Sequence, residues 1–234
     1  MEVGEALATL EQFPGRANRI SIYLTGANRT TNRLAAWRAS QLAQFLGLLS
    51  QNVEDLREGY SQQRITKIAW AARNLLELSI WVDYCNLSDS NAKKFNDDTG
   101  RDLLEFGQIT QKVFDAYGSG PSAELNAVMQ EMVKVAPSKF GITGIEDDYT
   151  KVREAAEVLG AHSRYAANFK RYSKYAHPTA LAMHSVLPGV IEVEEGLRNE
   201  FLKDGAHFSS AALSGIGDVV LKSFDPGHAP NKGP

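Results

Sequence analysis

Apolar residues in this chain recur at spacings of two to four and rarely alternate, a rhythm that predicts helices almost throughout. From Asn28 to about Glu58, Leu34, Trp37, Ala39, Leu42, Phe45, Leu46, Leu49, Val53 and Leu56 form one such series, with polar Arg38, Gln44, Asn52 and Asp55 between them. This predicts a long amphipathic helix capped by Asn28 or Thr30. Ahead of it, residues 2–12 read as a short helix that Phe13-Pro14-Gly15 ends. A further helix over Gln62–Leu87 is apolar nearly all round and is expected at the centre. Its Arg73 and Glu77, four apart, face each other and are expected to form a structural ion pair.

Ser88 is a candidate cap for a long helix running to Gly118, with a local irregularity expected at Gly100. Pro121 suits the first turn of the next helix, and Pro137–Ile145 reads as a loop. Asp147 or Asp148 is expected to cap the helix after that. Residues 187–204 look irregular and acidic, with a weak strand pattern at Gly189–Val193, and a last helix is expected over about Ala206–Phe224. The pattern predicts an all-α, single-domain bundle of six to eight helices over residues 1–224, followed by a disordered Pro/Gly-rich tail at 225–234.

Composition narrows the function classes. A net charge of −3 on 234 residues is too small to mark a polyanion-binding protein, so any such activity must come from a local patch. The single cysteine, Cys85, excludes an intramolecular disulfide and a Cys-x-x-Cys metal site, and implies a reducing compartment. No signal peptide and no apolar stretch of membrane-spanning length is seen, so a cytoplasmic protein without membrane association is expected. No glycine-rich phosphate loop follows a strand, and no cofactor is expected.

Candidate chemistry concentrates in residues 162–184. This window holds three of the five histidines, and no acid occurs between Glu157 and Glu192, so Arg164, Lys170, Arg171 and Lys174 stand unneutralised within it. On a helix over Ala161–Ala176, Tyr165, Phe169 and Tyr172 form an aromatic stripe expected in the core, beside a ridge of Arg164, Asn168, Arg171 and Tyr175. Pro178 biases His177 away from helical geometry, so the helix is expected to end or bend there, with the imidazole able to turn back toward Arg171 or toward the same element of a second copy.

The segment Arg171-Tyr-Ser-Lys-Tyr-Ala-His177 resembles the Arg-x4–6-His motif of the HEPN superfamily, all-helical proteins many of which are metal-independent ribonucleases of toxin and defence systems. The chain also resembles a group of uncharacterised bacterial helical proteins that pair a segment like Ala72-Arg-Asn-Leu-Leu-Glu77 with a later one like Tyr175-Ala-His177-Pro178. A polar residue usually follows the arginine in HEPN proteins, whereas Tyr172 stands there in this chain. The resemblance implies His177 as proton acceptor and donor and Arg171 as clamp on the developing phosphate charge. It further implies Arg164, Lys170 and Lys174 along an RNA backbone, Tyr175 stacked on an unpaired base, and a homodimer.

Two rival readings come from other classes. In one, the chain is a helical interaction module without chemistry, its partner a protein; Arg171 then pairs with Glu77 or an acid of the 192–204 segment, and His177 bonds a backbone carbonyl. In the other, His177, His184 and Glu77 hold a metal, although no Glu-x-x-His or His-x-x-x-His spacing supports such a centre.

Overall fold

The computed structural model describes residues 1–25, 34–118, 120–144, 150–177, 179 and 190–223. Among them are eight helices and no strand: α1 (Val3–Thr25), α2 (Ala36–Ser61), α3 (Ile65–Leu87), α4 (Asp89–Ala116), α5 (Ala123–Phe140), α6 (Val152–Val158), α7 (His162–Ala176) and α8 (Val190–Lys222). The all-α class expected from the spacing of apolar residues is the class observed. Helix α2 starts later than expected, at Ala36, with Ala35 as its N-cap and no side-chain bond there, so neither Asn28 nor Thr30 caps it. Those two residues, the candidate caps Asp147 and Asp148, and the tail from 225 lie outside the described residues.

Where one domain was expected over 1–224, the chain groups into two compact units, one of residues 1–86 with 152–234 and one of residues 87–151. In the first, α1, α2 and α8 pack on one another, and α6 packs on α7. Helix α3 buries thirteen of its twenty-three residues, as its nearly uninterrupted apolar surface requires. It runs antiparallel to α2, with Asn74 donating to Asn52 at 2.9 Å near its middle and Arg38, from the start of α2, donating to the Cys85 carbonyl at 2.9 Å near the C-terminal end of α3. Arg38 is only 3 % exposed and also bonds Gln41 and, at 2.9 Å, Asn86. Its charge therefore satisfies a carbonyl at the negative end of α3. The α8 glycines permit close approach: a Cβ on Gly205 would collide with Leu56, and one on Gly215 would meet Asn86 at 3.1 Å.

Several expected breaks are absent. Helix α1 continues through Pro14, which lies on its exposed side while Leu10, Phe13 and Ala17 are buried around it. Burying those side chains offsets the roughly 3 kcal/mol that an interior proline costs. The expected irregular segment and weak strand give way to α8, which is continuous from Val190 and carries through the expected last helix. Phe201 and Leu202 are fully buried on it, and the acids that suggested irregularity form pairs such as Arg198–Glu194 at 3.3 Å.

The second unit is built on the packing of α4 against α5. Ser88 caps α4 as expected, accepting from the Asn91 N–H at 3.1 Å, but α4 runs unbroken through Gly100. That glycine serves packing, since a Cβ there would lie 2.8 Å from the Phe140 Cβ. Pro121 precedes the α5 cap, Ser122, and so falls outside the helix. The expected loop at Pro137 is instead the final turn of α5, closed by Gly141 at φ 70°.

Candidate functional site

The proline rule holds at the end of α7. His177 leaves the helix with φ −115° and ψ 158°, the extended geometry favoured before proline. Its exposed imidazole, however, does not turn to Arg171. It meets Arg73 of α3, whose Nη1 lies 2.8 Å from the His177 Nε2. The same guanidinium donates from Nε to Glu77 at 3.2 Å and lies 4.2 Å from the centre of the Phe169 ring. The Arg73–Glu77 pair expected from the i,i+4 spacing is thus present, extended by a histidine and floored by an aromatic ring.

Chemistry fixes the direction of the histidine bond. A guanidinium has donors only, so in this contact the Nε2 of His177 accepts, which requires the ring proton on Nδ1. Tyr165, tilted against Phe169 with ring centres 5.4 Å apart, stands beside this group. Its own burial and the Glu77 carboxylate raise its pKa, so it is a hydroxyl donor and not a base. The cluster joins the two segments that carried the second family resemblance, one around Arg73 and the other around His177.

Arg171 is committed elsewhere. Its Nη2 donates to the Asp204 Oδ2 of α8 and, at 3.0 Å, to Asn168. The Tyr172 hydroxyl donates to the same Asp204 oxygen at 2.8 Å. Burial alone would lower the Arg171 pKa, but the Tyr172 hydroxyl and the Asp204 carboxylate outweigh it and raise the value. Burial and the Asp204 charge push the Tyr172 hydroxyl far up, which keeps it protonated. Phe201 packs edge-on to Tyr172, with ring centres 5.0 Å apart, and Arg171 lies 5.4 Å from the Phe201 ring. Within the chain the expected Arg171–His177 dyad is therefore corrected: one member is held by a carboxylate on α8, the other by an arginine on α3.

The expected nucleic-acid contacts divide. Arg164, Lys170 and Lys174 are exposed, though Arg164 also acts electrostatically on Asp83 of α3. Tyr175 is 3 % exposed and packs against Phe201 with ring centres 6.2 Å apart, so it has no face to offer a base. The buried side of α7 is Tyr172 with Tyr175, not the Tyr165–Phe169–Tyr172 stripe, and Tyr165 and Phe169 are half-buried beside Arg73.

No group of three His, Cys, Asp or Glu residues among the described ones could hold a metal ion; His184 lies outside them. Burial raises the Cys85 pKa to about 12, which leaves the thiol without nucleophilic character. No described helix is long and apolar enough to cross a membrane. Comparison with family models, curated proteins and solved structures finds no match to this chain.

Proposed function

We propose that the chain is a helical interaction module without catalytic chemistry, and that its partner is a second copy of itself. The observation that carries this reading over the ribonuclease is the bond between Arg171 and Asp204. An arginine that must clamp a phosphate is not free to do so while it and a buried tyrosine hydroxyl both donate to one oxygen of the Asp204 carboxylate. The choice of partner is supported by α4, where Phe106, Ile109, Val113 and Tyr117 are exposed at intervals of three, four and four, a single stripe along the helix. Few residues of α4 and α5 are buried, so the stripe remains apolar surface on a unit with a small core of its own.

Analytical ultracentrifugation of the full chain tests this reading. The expected result is a dimer that Phe106→Glu with Ile109→Glu converts to monomer without loss of helix content. A monomeric wild type at about 100 µM, far above the micromolar dissociation constants of modest interfaces, would overturn the choice of partner, as would a dimer that survives both substitutions.

A second reading stays alive on one observation. His177 is exposed, and its contact with Arg73 sets an imidazole beside a guanidinium. If that pair cleaves RNA, cleavage will proceed in the presence of a chelator and vanish in His177→Ala. Equal inactivity of the two proteins at high concentration removes this reading.

A further inference from the structure

A groove of about 330 Å³ lies between the C-terminal halves of α1 and α8, within the first unit. That volume falls at the lower end of the range for small-molecule sites. Leu213, Val220 and Leu221 of α8 and Ile20 of α1 give it an apolar floor. Gly217 deepens it: a Cβ there would face only the Ile20 Cδ1, at 3.5 Å.

The α1 wall carries Arg16 and Arg19. Three apart on the helix, they fall on neighbouring positions of one face. Neither has a hydrogen-bond or ion-pair partner among the described residues, although Arg16 is half-buried. A guanidinium drawn part-way out of water without a carboxylate is an unbalanced charge, and a bound anion would balance it. Tyr23 adds a phenol on the same wall. Across the groove, Ser214 offers a hydroxyl, and exposed Asp218 is the only acid among the described residues of the lining. Two cations against one acid favour a single negative charge over a dianion, which Asp218 would repel.

We propose that this groove binds a small monoanionic amphiphile, a carboxylate with a short aliphatic tail, its head between Arg16 and Arg19 and its tail over Gly217. Arg73, His177 and the α4 stripe take no part, so the site stands or falls independently of the function proposed above. Guanidinium groups supply the paired donors that a carboxylate accepts. The apolar floor supplies roughly 0.8 kcal/mol for each methylene it covers.

Calorimetric titration of the full chain with octanoate, octanol, octylamine and octyl phosphate tests the assignment. Octanoate is expected to bind most tightly, with octyl phosphate weaker and octylamine absent. Arg16→Ala with Arg19→Ala is expected to weaken octanoate about tenfold or more, the loss of at least ~1.4 kcal/mol, and to leave octanol unchanged. Gly217→Leu is expected to block both ligands while helix content and melting temperature are kept, since the added Cβ meets only an ordinary contact. Octanoate affinity unchanged by either variant, or matched by octylamine, overturns the proposal. Tighter binding of octyl phosphate than octanoate overturns the single-charge preference argued from Asp218.

Discussion

Arg73 donates to the Nε2 of His177 across 2.8 Å, joining helix α3 to the residue at which α7 ends, 104 positions later in the chain. Because the arginine cannot accept, the contact selects the Nδ1–H tautomer of the histidine. Nitrogen-15 NMR of the imidazole at pH 8 is expected to report that tautomer in the wild type and a mixture in Arg73→Ala. A predominant Nε2–H form in the wild type would mean that the two groups do not meet. Since His177 is exposed, His177→Ala is expected to cost less than about 1 kcal/mol, read from the denaturant midpoint.

Cys85 is 1 % exposed and its thiol is held near pKa 12. Native protein at pH 8 is expected to resist iodoacetamide for hours and to react stoichiometrically once unfolded. Fast labelling under native conditions would show that the core around α3 opens far more readily than its packing implies.

Two helical glycines make opposite predictions. At Gly100 a Cβ would lie 2.8 Å from the Phe140 Cβ and 3.0 Å from the Ile142 Cγ1, so Gly100→Ala is expected to destabilise the α4–α5 unit by about 2 kcal/mol. Gly47 on α2 is exposed, with nothing within 4 Å of an added Cβ, so Gly47→Ala is expected to stabilise by up to about 1 kcal/mol. Thermal melts of the two variants give the comparison. Equal shifts of one sign would contradict the packing assigned to Gly100.

Asp98 is 5 % exposed, and burial raises its pKa above the ordinary 3.8 even though Arg101 and the Thr150 N–H, at 3.3 Å, both favour the carboxylate. A carboxyl whose folded pKa exceeds its unfolded one penalises the fold when ionised. The penalty is present above the folded pKa and fades as pH falls through it toward 3.8. Arg101→Ala removes the main opposing charge. It is expected to move the Asp98 carboxyl titration further upward and to cost about 2 kcal/mol at pH 7. That cost should shrink on acidification. A loss that grows toward pH 4, or an Asp98 titration moving downward, would contradict this.

The helical class was legible because α3 is apolar almost all round and α2 keeps its rhythm over many turns, signals that tertiary packing only reinforces. The break at His177 was legible for a local reason, the steric demand of the following proline. Prolines 14 and 137 misled, because a proline on the exposed side of a helix, or in its last turn, is tolerated when neighbours such as Phe13 and Ala136 are buried. A helix with Tyr165, Phe169 and Tyr172 inward places Tyr175 on the neighbouring ridge, open to a base. The buried pair is Tyr172 and Tyr175, a turn of the helix that depends on where Phe201 of α8 lies. The Arg73–His177 contact has no periodic signal at all, since one member sits on α3 and the other just beyond the end of α7. Asp204 was visible only as one of several acids in the 192–204 segment, any of which could have reached Arg171.

Asp204 of α8 holds Arg171 in place. A double-mutant cycle with Arg171→Ala, Asp204→Ala and the pair, read by urea unfolding at pH 7, tests this structural role most directly. The pair is partly exposed, with side-chain accessibilities of 38 % and 29 %, so the coupling should fall below that of a buried ion pair, at about 1 kcal/mol. A coupling of that size, with stability falling in each single variant, is the result expected. A coupling indistinguishable from zero, with Arg171→Ala as stable as the wild type, would contradict the account and free Arg171 for another role.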